Sequence, residues 1–227
     1  MIQNLEHRNA FGFLRLLLAS LVIVSHTAEL KDGNRSREIL TNIAGTLSFG
    51  ELAVDFFFII SGFLITRSFL RSSDIFSFFI KRAGRIYPAY IVAFLVCLLV
   101  VGPLGGTPLP EWPRHVMRQL LDIPFLRCPS LPDVFVGQPY PFLNGAMWTL
   151  SYEFSCYSVV VILGICGFYK RKYLFLSVFS LSVFSYFFTQ THFTPWAPAA
   201  RFIMIFLCGA LWSVSQDRVA WSWPMFH

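Results

Sequence analysis

Apolar residues along this chain fall into six blocks, separated by short polar stretches and one long one. A helix that crosses a bilayer needs roughly 20 apolar residues. On that measure the spans are expected at Phe11 to Ala28, Leu52 to Leu70, Ile86 to Val101, Met147 to Phe168, Tyr173 to Phe188 and Arg201 to Val214. The pattern therefore predicts an all-α, polytopic helical membrane protein with about six transmembrane helices. Residues 1–227 read as a single transmembrane domain.

Composition agrees with the pattern. The chain is 56% hydrophobic, 13% charged and 18% aromatic, with a mean hydropathy of +0.61, outside the range of soluble domains. The net charge of +6 does not argue for nucleic acid, because no basic run is long enough to form such a patch. A basic membrane protein usually owes its excess to Lys and Arg on cytoplasmic loops. The five cysteines lack the pairing and spacing of a disulfide or zinc framework, and they read as apolar filler. No metal site is expected.

Loop charge supplies an orientation. Arg67, Arg71, Lys81, Arg82 and Arg85 against Asp74 separate the second and third spans, and Lys170, Arg171 and Lys172 separate the fourth and fifth. Both connectors are expected to be cytoplasmic. The connectors Glu29 to Glu38 and Gly102 to Ala146 balance bases with acids, so they are expected outside, with both termini in the cytoplasm. The long Gly102 to Ala146 connector is rich in Gly and Pro. Its one amphipathic stretch, Arg114 to Leu121, suits the membrane interface. A connector of this length reads as a lid or binding element, or as disordered chain.

Charged side chains inside the spans need a reason, since the bilayer makes them costly. Arg15 and His26 lie eleven positions apart in the first span. On a helix that spacing returns to the same stripe roughly 16 Å further along. With the orientation above, Arg15 is on the cytoplasmic side and His26 on the outer side. Glu51 and Asp55, one turn apart in the second span, are also outer. A carboxylate such as Asp55 can hold an imidazole in one tautomer and so support a general base. Fold support and wetting by headgroup water are the alternatives for these two residues. Ser61 and Gly62 suggest close helix packing.

Lys81, Arg82 and Arg85 in KRAGRIYPAY suit either orienting charge or the phosphates of an anionic cytoplasmic cofactor. Glu153, two turns into the fourth span within MWTLSYEFSCY, needs a cationic or hydrogen-bonding partner.

Together these segments resemble the acyltransferase 3 family of integral membrane O-acyltransferases. The resemblance runs from the N-terminus through about Tyr157. It rests on RLLLASLVIVSH, GELAVDFFFIISGFLI, KRAGRIYPAY and WTLSYEFSCY, in that order. It implies transfer of an acyl group, usually acetyl, from cytoplasmic acyl-CoA to a hydroxyl of an extracytoplasmic carbohydrate or glycolipid. No permanently bound cofactor is implied, and the setting would be a bacterial plasma membrane.

The residues that would carry the chemistry are His26 as base with Asp55 or Glu153 orienting it, and Arg15, Lys81, Arg82 and Arg85 holding the coenzyme. Phe154, Ser155 and Cys156 depart from the residues that often follow the glutamate in this family. Relatives usually carry further helices, so the domain is expected to be incomplete at its C-terminus: a short family member, a truncated product, or a chain that needs a partner, whether a second copy in a homo-oligomer or another chain. The competing readings are a transporter or flippase of a polar or glycolipid substrate, in which intramembrane charges form a relay, and an inactive truncated family member.

Overall fold

The computed structural model describes residues 3–45, 47–108, 112–192 and 195–216. Glu111 and the closing WSWPMFH, with His227, lie outside them. Among the described residues the regular secondary structure is helical, without strands. Six helices are long and apolar enough to cross a membrane: Phe11–Lys31, Phe49–Leu70, Ile75–Leu104, Gly145–Ile165, Tyr173–Thr191 and Ala197–Ser215. The chain is a multi-pass integral membrane protein. The expected spans are all present, but several ends move, and the causes are local.

Helix α1 (Gln3–Asp32) runs one turn past the expected end. The added residues, ELKD, are mostly good helix formers, and Lys31 favours the negative end of the helix dipole. Gly33 then stops the helix with φ +73° and donates its N–H to the Glu29 carbonyl at 2.9 Å, an αL cap. This extension brings Glu29 into the helix, one turn beyond His26.

The short α2 (Ile39–Ala44) is opened by Glu38, whose carboxylate accepts from the Thr41 amide (2.8 Å), the Thr41 hydroxyl (3.0 Å) and the Phe49 amide (2.9 Å). Glu38 thus joins α2 to the start of α3 (Phe49–Leu70). That start lies three residues before the expected one because Ser48 and Glu51 form a reciprocal capping box. The Glu51 amide donates to Ser48 Oγ at 3.1 Å, and the Ser48 amide donates to Glu51 Oε2 at 3.2 Å.

The largest correction concerns the third span. Helix α4 (Ile75–Val96) starts well before Ile86, so KRAGR belongs to a helix rather than to the connector. Asp74 caps it, accepting from the Ser77 amide at 2.7 Å, and its hydrogen bonds to Ser77, backbone first, and to Ser73 hold the carboxyl below the usual range. The helix continues through a π turn (Cys97–Val101) into α5 (Gly102–Leu104). At 1.5 Å per residue, 30 residues extend about 45 Å, enough to cross both the hydrocarbon and the headgroup layers. Pro88 therefore sits inside the helix and not at its start.

Two compact units divide the chain. The first comprises Met1–Phe57, Phe94–Leu121 and Cys128–Gly145. Leu18, Ala53, Phe94, Cys97, Leu98, Leu131 and Val134 are buried within it. Much of the long connector is built into this unit rather than left loose. Trp112, opening α6 (Trp112–Leu120), donates Nε1–H to the Leu98 carbonyl at 2.9 Å, the Phe135 amide donates to the Gly105 carbonyl at 2.7 Å, and Thr107 Oγ1 donates to the Pro132 carbonyl at 3.2 Å.

The second unit comprises Phe58–Ala93, Asp122–Arg127 and Ala146–His227. Within its described residues lie α7 (Thr149–Ile165), α8 (Lys172–Thr191) and α9 (Ala197–Gln216). Helices α3 and α9 meet backbone to backbone. A Cβ on Gly62 would collide with the Phe206 carbonyl, and one on Gly209 with the Ile59 carbonyl. Small residues permit this approach between membrane helices, as GFLI in α3 suggested. Phe58 stacks on Phe202 with centroids 4.3 Å apart. Tyr87 and Tyr90, from the RIYPAY segment, donate to the Pro124 and Arg127 carbonyls, both at 2.7 Å, and pin that stretch of connector to α4.

Candidate active site

In the first unit, the unbroken α1 carries both Arg15 and His26. Arg15 is half-buried, and the helical rise separates it from His26 by roughly 16 Å. His26 Nδ1 lies 3.0 Å from Glu29 Oε2, with the two side chains 29% and 18% exposed. An ionised carboxylate can only accept, so in the neutral imidazole this contact places the proton on Nδ1 and leaves the lone pair on Nε2. Glu29 is thus a carboxylate partner of His26 beyond the expected Asp55 and Glu153. The His-x-x-Glu spacing was visible in the sequence, but hydropathy closed the span at Ala28, one residue before Glu29. Only the cap at Gly33 brings Glu29 into register.

The imidazole also meets the long connector. Tyr140 packs edge-on against it, with ring centroids 6.4 Å apart. Asp55 is half-buried on α3 with Oδ1 sealed from solvent. Glu51, its neighbour one turn earlier, is engaged in the capping box and belongs to the architecture.

In the second unit, Glu153 of α7 is the centre of a polar cluster among the spans. Its Oε1 accepts from Tyr157 at 2.6 Å and from the buried Ser61 at 3.1 Å. Arg82 interacts electrostatically with Glu153 and Tyr157. Its Nη2 donates to Ser68 Oγ at 2.8 Å, and its guanidinium lies 5.9 Å from the centroid of Phe78. Arg82 Nε is sealed from solvent without an acceptor, so this cation is turned into the helix bundle. That distinguishes it from Lys81 and Arg85, which are exposed. The hydroxyl of Ser61 thus has a polar task beside the packing task of Gly62.

The same unit has an open cleft of about 390 Å³ lined by Leu64, Arg67, Ser68, Arg71, Ser72 and Lys81. Three cations and two hydroxyls face one space there. Arg67 and Arg71 had registered in the sequence only as orienting charge. Their approach to Lys81 depends on the turn between α3 and α4, which no periodicity reveals.

The model of the acyltransferase domain family matches residues 8–225. The chain is 32% identical over 152 residues to an O-acetyl transferase of Shigella phage Sf6, covering 66% of this chain and 44% of that protein. It is 34% identical over 169 residues to nodulation protein 10 of Rhizobium leguminosarum bv. viciae, covering 69% and 44%. It is 28% identical over 147 residues to the acyltransferase MdmB of Streptomyces mycarofaciens, covering 63% and 36%. The chain thus spans less than half the length of these curated relatives. No solved structure matches it.

Proposed function

This chain belongs to the acyltransferase 3 family, and from that membership we propose that it is a membrane O-acyltransferase, moving an acetyl group from acetyl-CoA to a hydroxyl of a carbohydrate or glycolipid. The observation that carries the reading is the His26 and Glu29 pair. It leaves Nε2 basic and aimed away from its carboxylate partner, which is what a general base for an alcohol needs.

In the proposed step, Nε2 takes the proton of the acceptor hydroxyl as its oxygen attacks the thioester carbonyl carbon. The tetrahedral intermediate collapses with cleavage of the C–S bond, and the imidazolium returns the proton to the departing coenzyme thiolate. Glu29 holds the imidazole and offsets the charge it acquires, and Asp55 adds electrostatic support. A positioned base contributes about 10² to 10⁴ in rate.

Arg15 holds the pantetheine arm or stabilises negative charge developing on the thioester oxygen. Lys81, Arg85 and the cleft arginines Arg67 and Arg71 take the coenzyme phosphates, for which planar guanidinium groups are suited. Arg82 extends this set inward, with Glu153 balancing its charge. Loop charge supports a cytoplasmic donor and an acceptor on the opposite side.

The test uses radiolabelled acetyl-CoA, vesicles containing the chain and a surface-glycan extract. Label recovered covalently on glycan supports the proposal. Glycan that crosses the membrane unlabelled contradicts it and points to transport.

A further inference from the structure

The segment Gln138 to Gly145 of the long connector, QPYPFLNG, lies against the end of α1 at Pro139 and packs on itself at Tyr140. Pro139 covers Gly33, where an added Cβ would lie 3.2 Å from the Pro139 carbonyl oxygen. Tyr140 occupies the space beside Gly145, where an added Cβ would collide with its hydroxyl. The hydroxyl therefore lies beside Gly145, and the Tyr140 ring lies near His26. Phe142 packs on that ring with centroids 5.0 Å apart at 62°. Yet Phe142 is 60% exposed. Tyr140 thus stands beside the candidate base, and Phe142 extends the aromatic surface outward from it.

We propose that Tyr140 and Phe142 form the acceptor subsite, an aromatic corner that receives the C–H face of a pyranose ring whose hydroxyl is directed to His26 Nε2. This rests on the acyltransferase reading above, in which a hydroxyl must approach Nε2, and it names the cyclic sugar as the unit that is recognised. The imidazole and Tyr140 centroids are 6.4 Å apart, so a sugar whose hydroxyl engages the imidazole has Tyr140 as a near neighbour. Ring hydrogens attached to carbons carry partial positive charge and suit the negative face of an aromatic ring, while the equatorial hydroxyls remain free for polar contacts. An acyclic polyol offers the same hydroxyls without that face. Because the segment is anchored at Pro139 and Tyr140, little ordering is needed when the sugar arrives.

The experiment is saturation-transfer NMR on the chain in lipid nanodiscs, with methyl β-D-glucopyranoside and methyl β-D-galactopyranoside as probes and sorbitol as the acyclic control. Irradiating the aromatic envelope is expected to saturate the C–H protons of one face of at least one pyranoside. Phe142→Ala is expected to weaken binding roughly three- to tenfold, the size of one aromatic contact. Phe142→Trp is expected to restore it, and Trp196→Ala, which removes an exposed aromatic elsewhere, to bind as wild type.

Unsaturated pyranosides, sorbitol binding as well as the pyranosides, or Phe142→Ala binding as wild type would each overturn the subsite. Binding is read without a donor, so the two proposals fail separately. Sugar binding without acetyl transfer contradicts the acyltransferase reading, and transfer without aromatic contact contradicts the subsite.

Discussion

Removing the carboxylate that holds His26 isolates the chemistry from the fold. In Glu29→Gln an amide oxygen can still accept from Nδ1–H, so the tautomer is retained while the charge opposite the developing imidazolium is lost. In Glu29→Ala the charge and the acceptor both go. A hydrogen bond to a charged group contributes about 1.5–3 kcal/mol. With the side chains 29% and 18% exposed, solvent screening reduces that to about 1–2 kcal/mol. At 1.36 kcal/mol per tenfold, kcat for acetyl transfer is expected to fall roughly five- to thirtyfold in Glu29→Gln and further in Glu29→Ala, with little change in KM for acetyl-CoA.

Stability should move differently. Glu29 lies in the last turn of α1, where a negative charge opposes the helix dipole by about 0.3–1 kcal/mol. Neither substitution should therefore lower the unfolding temperature of detergent-solubilised protein by more than the loss of one part-buried hydrogen bond. Variants that fold as wild type and transfer acetyl within twofold of it would refute the reasoning.

Further expectations concern the fold and the donor side. Gly209→Ala would place a methyl group on the Ile59 carbonyl, and it is expected to cost about 1–3 kcal/mol, measured as a lower unfolding temperature. For Glu38, burial pushes the carboxyl up, but the Thr41 and Phe49 amides and the Thr41 hydroxyl together outweigh it, so its pKa lies below the ordinary value. Its stabilisation is fully present above an unfolded glutamate's pKa of about 4.3 and is lost as pH falls through the lower folded value. The difference in unfolding temperature between wild type and Glu38→Gln should therefore be largest near neutral pH and shrink below pH 4. The double variant Arg67→Gln/Arg71→Gln is expected to raise KM for acetyl-CoA roughly three- to tenfold, an effect that added salt diminishes in the wild type, because both residues are exposed.

Hydropathy made the six spans legible because length and apolar content are what a bilayer selects. Helix ends were another matter. The start of α4 depends on Asp74 as a cap, and the end of α1 depends on Gly33 in a left-handed conformation, neither of which changes a hydropathy average. Those two ends decided the site. One moved Arg82 from a surface connector into the bundle, and the other supplied Glu29 to His26. Glu153 was legible as a buried acid in need of partners, but Ser61 lies 92 positions away from it in the chain, and no local pattern links them. Asp55 and Arg15 stood out by the cost of charge in a span alone.

The central claim, that His26 is the base for acyl transfer, is tested most directly by acetyl transfer from radiolabelled acetyl-CoA to glycan in matched vesicles of wild type and His26→Ala. A fall of 10² or more in the rate, with donor binding retained, is the expected result. Transfer by His26→Ala at the wild-type rate would contradict it.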